Sequence, residues 1–143
     1  MLRAALPAGI VAGRQGGYVS YHPFHVIGAA YGGLVGPVSD AARLALLHLG
    51  GGAVGDRRLL SASSIVQMRQ IVARGRRIDV GLGWYRPHNA GDEPEFVQHL
   101  GGGSGFFTVM RLYPQRDVGA VLMGNTTHYG YDAILDAITD AGW

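Results

Sequence analysis

The sequence predicts an α+β fold: an antiparallel sheet with flanking helices and a C-terminal helix lying on the sheet. Two observations predict it. Residues 96–100, 106–113 and 118–123 are short segments rich in β-branched and aromatic side chains, separated by glycines or by the turn Pro114-Gln115-Arg116-Asp117, as consecutive antiparallel strands are. Residues 39–49, 61–74 and 131–141 instead carry apolar side chains at helical spacing. With 143 residues, 48% of them hydrophobic, the chain is expected to form a single domain, irregular over 1–38 and built of helices and strands over 39–143.

The elements follow in order. Residues 1–38 are rich in Gly, Pro and Tyr and alternate only briefly at 18–21, so no helix is expected there. Ser39 reads as an N-cap with Asp40 in the first turn, Leu44 and Leu47 belong to an apolar stripe, and Gly50-Gly51-Gly52 ends the helix. Ser61 is the expected cap of a second helix, with Ile65, Met68, Ile71 and Val72 at helical spacing and an end near Arg74-Gly75-Arg76. Residues 80–85 read as a strand and 87–94 as a polar loop. After the three later strands comes a last helix over 131–141, with Ile134, Leu135 and Ile138 on one face. Four strands leave two edges, and nothing N-terminal looks strong enough to close them, so a long edge is expected to stay open to another chain.

Composition excludes several function classes. All 12 basic residues are Arg, so no lysine-dependent mechanism operates within this chain, and with 0 Cys there is no disulfide, thiol nucleophile or cysteine-ligated zinc. The net charge of +2 is small and the arginines are spread out apart from Arg57-Arg58 and Arg74, Arg76 and Arg77, which does not make the dense basic face of a nucleic-acid binder. No apolar run is long enough to span a bilayer. Met1-Leu2-Arg3 and the small residues to Gly13 resemble a signal peptide faintly, but Pro7 and Gly9 interrupt the apolar stretch; the compartment stays open, with the cytoplasm favoured.

Most motif matches have plainer readings. Gly50, Gly52 and Gly55 fit Gly-x-Gly-x-x-Gly but follow a helix, where a dinucleotide fingerprint must follow a strand. Ser104 lacks the second glycine of a nucleophile elbow, since Phe106 stands two positions on. His99-Leu100-Gly101-Gly102-Gly103 resembles a lipase oxyanion loop, yet too little chain follows it for a nucleophile and its partners. His22 and His25 are separated by Pro23 and read as loop histidines rather than metal ligands, and Asp92, Glu93 and Glu95 read as a polar loop; no cofactor or metal is expected. His99 stands apart. It sits at the end of an expected strand beside Gly101, Gly102, Gly103 and Gly105, where missing side chains let backbone N–H groups approach a developing negative charge.

Together these pieces resemble the C-terminal half of the serine β-lactamase-like family, which includes class C β-lactamases, D-Ala-D-Ala peptidases and related esterases. Gly32-Gly33-Leu34-Val35 before Ser39-Asp40-Ala41-Ala42-Arg43-Leu44 is similar to the family's G-G-L-x-S-T-x-x-D-L-A-R-F segment. Leu59-Leu60-Ser61 resembles L-L-S, Gly81-Leu82-Gly83-Trp84 resembles Y-G-L-G-W, and His99-Leu100-Gly101-Gly102 with Gly105-Phe106 resembles H-x-G-G-x-x-G-F, which replaces K-T-G in esterase-like branches. Pro114 and Asn125 complete the hairpin pattern over a match of about residues 28–138. The resemblance implies a partial β-lactamase/transpeptidase-like fold, hydrolysis of an ester, amide or β-lactam through an acyl-enzyme, His99 at the K-T-G lysine position, Gly102 as an oxyanion N–H donor, and Leu100, Gly101 and Gly103 as substrate-binding neighbours.

The chain departs from the family where chemistry starts. S-x-x-K needs a lysine and there is none, and no tyrosine is followed two positions on by Asn. The expectation is a truncated or split reading frame that is inactive alone and open to a complementing chain carrying S-x-x-K. The alternative is a non-catalytic binding or interaction module that retains the glycine-lined pocket.

Overall fold

A computed structural model describes residues 9–23, 32–88, 96–103 and 105–141. The chain divides into two units, Met1–Val35 and Gly36–Trp143. In the first, β1 (Val11–Gln15) and β2 (Tyr18–Tyr21) form an antiparallel hairpin with a register shift between Val11 and Gly13. The expectation of irregular structure gives way here because Gly16 and Gly17 both take positive φ, as a two-residue hairpin turn requires.

The second unit has the predicted α+β architecture. A six-stranded antiparallel sheet runs in the order β10-β9-β8-β7-β6-β5, and the contributing strands are β5 (Ala73–Arg74), β6 (Ile78–Val80), β7 (Tyr85–Pro87), β8 (Val97–Gly103), β9 (Phe106–Tyr113) and β10 (Val118–Gly124). A small hairpin of β3 (Ala53–Val54) and β4 (Arg57–Arg58) stands apart from the sheet. The helices are α1 (Val38–Leu49), α2 (Ala62–Arg69) and α3 (Tyr131–Asp140).

Side chains alternate across the strands and build a core on each face. On one, Ala45 of α1 packs with Trp84, Val97 and Leu112, joined by Leu49, by Met68 of α2, and by Met110 and Val121. On the other, Leu135 of α3 packs with Val109 and Ala120, joined by Leu100, Leu122, Tyr131 and Ile138. The stripe of α3 is thus Tyr131, Leu135 and Ile138, at i, i+4 and i+7, while Ile134 turns outward.

Several helix boundaries differ from expectation. Ser39 lies inside α1. The cap is Pro37, whose carbonyl accepts the Asp40 N–H at 3.1 Å. The far end closes as anticipated, with Gly51 at φ 59° and the Gly52 N–H donating back to the Leu47 carbonyl at 2.8 Å, a Schellman arrangement. Ser61 does cap α2, its Oγ accepting the Ser64 N–H at 3.0 Å. Ser61→Ala is accordingly expected to cost about 1 kcal/mol, measured as a lower urea midpoint at unchanged slope; no change in midpoint would show the cap to be dispensable.

Instead of continuing to Arg74, α2 stops at Arg69. The Val72 N–H donates to the Val80 carbonyl at 2.9 Å and Ala73–Arg74 pair with β6, so sheet pairing overrides local helical spacing. Likewise residues 80–85 are not one strand. The chain turns at residues 81–84, where the Gly81 N–H donates to the Trp84 carbonyl at 2.7 Å, and this turn buries Trp84 in the α1-side core.

Candidate active site

The site is built around the end of β8. The expected strand stopped at Leu100 with glycines looping beyond it, but Gly101, Gly102 and Gly103 continue the strand and pair with Thr108, Phe107 and Phe106. Their lack of side chains makes room for β9. A Cβ on Gly101 would stand 2.6 Å from Thr108 Oγ1, and one on Gly103 would stand 2.5 Å from the Phe106 ring. The glycine run is therefore a strand overlaid by its neighbour's side chains. Ser104 lies outside the described residues.

Register fixes where the backbone groups aim. The Leu100 N–H reaches the hydroxyl of Tyr85, on the β7 side, rather than β9. Hydrogen-bonded and non-hydrogen-bonded pairs alternate along an antiparallel ladder. The N–H groups of Gln98, Leu100 and Gly102 consequently point away from β9, toward the β7 side. There β7 pairs only through Tyr85 opposite Gln98, because the chain preceding Tyr85 departs into the turn at residues 81–84.

Tyr85 occupies the first part of that opening. Its hydroxyl is pushed up to about 12, chiefly by burial, with the Leu100 N–H working in the opposite direction and Tyr131 reinforcing the rise. Gly102, exposed, is the next residue on the same edge. The His99 side chain is also exposed, and its ring lies 5.7 Å from that of Tyr85 at 51°. Of the other predicted site residues, Leu100 sends its side chain to the α3-side core and Gly101 accepts a hydrogen bond from Thr108 Oγ1 at 3.2 Å through its carbonyl. His99 and Gly102 thus lie near one stretch of edge, while the N–H groups of Gly101 and Gly103 face β9 and that of Leu100 meets the Tyr85 hydroxyl. This edge can receive a carbonyl or carboxylate oxygen, but it carries no lysine to activate a nucleophile.

Tyr85 was not singled out in the sequence, where it was one aromatic in an expected strand; only the pairing with Gln98 brings it to His99. A second polar group the sequence concealed is the Arg111 cluster on the α3 side. Arg111 is 3% exposed, donates through Nε and Nη2 to Gln98 Oε1 at 3.0 and 2.9 Å, through Nη2 to Asp132 at 2.6 Å and through Nη1 to the Tyr113 hydroxyl at 3.4 Å, and stacks 4.2 Å from the Phe96 ring centroid. Burial opposes its charge, but the Tyr113 hydroxyl and Asp132 carboxylate more than offset this and its pKa is raised. These contacts are internal, and the one to Asp132 ties α3 to the sheet.

The remaining candidates do not join the site. His25, Asp92, Glu93 and Glu95 lie outside the described residues, and among the described residues no group of three His, Asp or Glu side chains could hold a metal. Among the described residues, no helix is long and apolar enough to cross a membrane.

The family model described as Beta-lactamase matches residues 3–141, nearly the whole chain. The protein belongs to the β-lactamase family, and its mixed sheet-and-helix architecture agrees with a partial fold of that type. Among curated proteins, none matches the sequence.

Proposed function

We propose that the chain is the C-terminal portion of a serine hydrolase that cleaves an ester, amide or β-lactam through an acyl-enzyme, and that it supplies the oxyanion side of that site. The observation that carries the reading is the outward Gly102 N–H on the open edge of β8, with the exposed His99 on the same strand. In this reading Gly102 donates to the oxygen that becomes negative in the tetrahedral intermediate, a contribution typically of about 3 to 4 kcal/mol. His99 orients or polarises the substrate's acyl or carboxyl group, and Leu100, Gly101 and Gly103 line its path with backbone.

The missing chemistry is the nucleophile and its base. A serine alone is a poor nucleophile until a neighbouring group takes its proton, and a chain without lysine cannot form S-x-x-K. The chain is therefore inactive by itself, and a complementing chain carrying S-x-x-K restores turnover. The lysine-free composition also supports the second reading, a binding module that keeps the pocket and performs no reaction.

The test is hydrolysis of a chromogenic ester or cephalosporin. The expected result is no turnover by the purified chain, and labelling by a covalent β-lactam probe only when an S-x-x-K chain is added. Turnover by the chain alone, lost in His99→Ala, would overturn both readings. Probe binding that is non-covalent and unchanged by the added chain would favour the binding module.

A further inference from the structure

Where β7 ends, a side chain takes over the work of a strand. β7 supplies Tyr85 opposite Gln98, but the residues before Tyr85 turn away, the Gly81 N–H closing on the Trp84 carbonyl at 2.7 Å. No residue of β7 therefore stands opposite Leu100, whose N–H points to that side. A half-buried N–H without a partner is costly. The phenol of Tyr85 fills the place: its hydroxyl lies at the Leu100 N–H, and its ring leans on that of His99 with centroids 5.7 Å apart.

This leaves the hydroxyl with something to give. A phenol oxygen carries one proton beside its two lone pairs, and the Leu100 N–H engages only a lone pair. The Tyr129 hydroxyl, by contrast, spends its proton on the Phe107 carbonyl at 3.1 Å. Among the described residues, the Tyr85 proton has no such acceptor. Burial keeps that proton in place at neutral pH, with the pKa pushed up to about 12. Two residues further along β8, the exposed Gly102 directs its N–H to the same side.

We propose that Tyr85 is a specificity-determining residue of this edge: its hydroxyl closes the rim at Leu100 and donates to a second acceptor oxygen of the substrate, while Gly102 receives the reacting one. The assignment rests on the acyl-transfer reading given above and names the substrate class for it. Alternate residues of a strand lie about 7 Å apart, and a hydrogen bond from the phenol spans about 2.8 Å. The two acceptor oxygens are then about 4 Å from each other. A carbonyl or carboxylate one carbon beyond the scissile carbonyl, as in a malonyl-type acyl group, meets that separation. A plain hydrocarbon acyl chain leaves the phenol proton unpaired, and a site built around a hydrogen bond discriminates strongly against an analogue that lacks the partner.

An amide-resolved NMR titration of the purified chain with acetate and with malonate tests this. Both probes are expected to move the Gly102 amide signal, malonate binding about tenfold more tightly because it also engages the phenol. The Leu100 amide, already met by the hydroxyl, should respond to neither. Tyr85→Phe keeps a ring beside His99 and removes the hydroxyl. In this variant acetate binding is expected to be unchanged, the advantage of malonate to be largely lost, and the freed Leu100 amide to respond to the probes. A role confined to packing would instead weaken both probes alike, which would overturn the assignment. Equal affinities in the wild-type chain, or a malonate advantage that survives in Tyr85→Phe, would also overturn it while leaving the Gly102 reading in place; a Gly102 amide that neither probe moves would overturn both. The wild-type comparison needs no variant, so the assignment stays open to refutation even where Tyr85→Phe fails to fold.

Discussion

Replacing Arg111 with alanine is expected to destabilise the fold by about 3 kcal/mol. Gln98, 3% exposed, would lose both guanidinium donors to its Oε1, and an unsatisfied buried acceptor costs about 1 to 3 kcal/mol. Loss of the stack on Phe96 adds about 1 kcal/mol. The ion pair with Asp132 contributes less, because the Asp132 side chain is 63% exposed and water screens it. Asp132→Asn should therefore cost under about 1 kcal/mol. Urea denaturation of both variants decides the matter: equal losses would mean that the ion pair to α3, rather than the amide contact buried within the sheet, carries the stability.

Acidification from pH 7 to 5 is expected to lower the melting temperature, and His48→Leu to remove much of that slope. His48, in the last turn of α1, is 2% exposed, packs edge-on against Trp84 with ring centroids 4.8 Å apart, and has no hydrogen-bond partner for Nδ1 among the described residues. Burial first, then the Arg69 guanidinium, lower its pKa below the ordinary 6.5. Arg69 also donates to the His48 carbonyl at 3.2 Å, so a proton on the ring would place a second positive charge beside it. The sign follows: below about pH 6.5 the unfolded chain takes up a proton that the folded chain refuses, so stability is complete above that pH and declines as pH falls toward the folded pKa. Asp79 does not confuse this window, since its hydrogen bond from His88 holds its carboxyl below the ordinary 3.8. A melting temperature flat from pH 7 to 5, or an undiminished slope in His48→Leu, would contradict the assignment.

The sequence disclosed those parts of the fold that depend on local pattern. Residues 106–113 have the bounds of β9, and Ser61 caps α2, because strand composition and a serine cap are read within a few residues. It misplaced what is decided from afar. Ile71 and Val72 continue a helical spacing, but Val72 bonds to Val80 instead; residues 80–85 look continuous until Trp84 is drawn into the core under α1. The site shows the same division. The position of His99 beside glycines was visible in order, whereas the aim of the Gly102 N–H and the approach of Tyr85 depend on pairings between residues distant in sequence.

The helices cover the two faces of the sheet, and the groups with candidate chemistry lie along a strand's rim. Folding and reactivity thus draw on different dimensions of the same sheet. A substitution at the rim leaves both cores intact, so a descendant can shed its reaction and keep its shape.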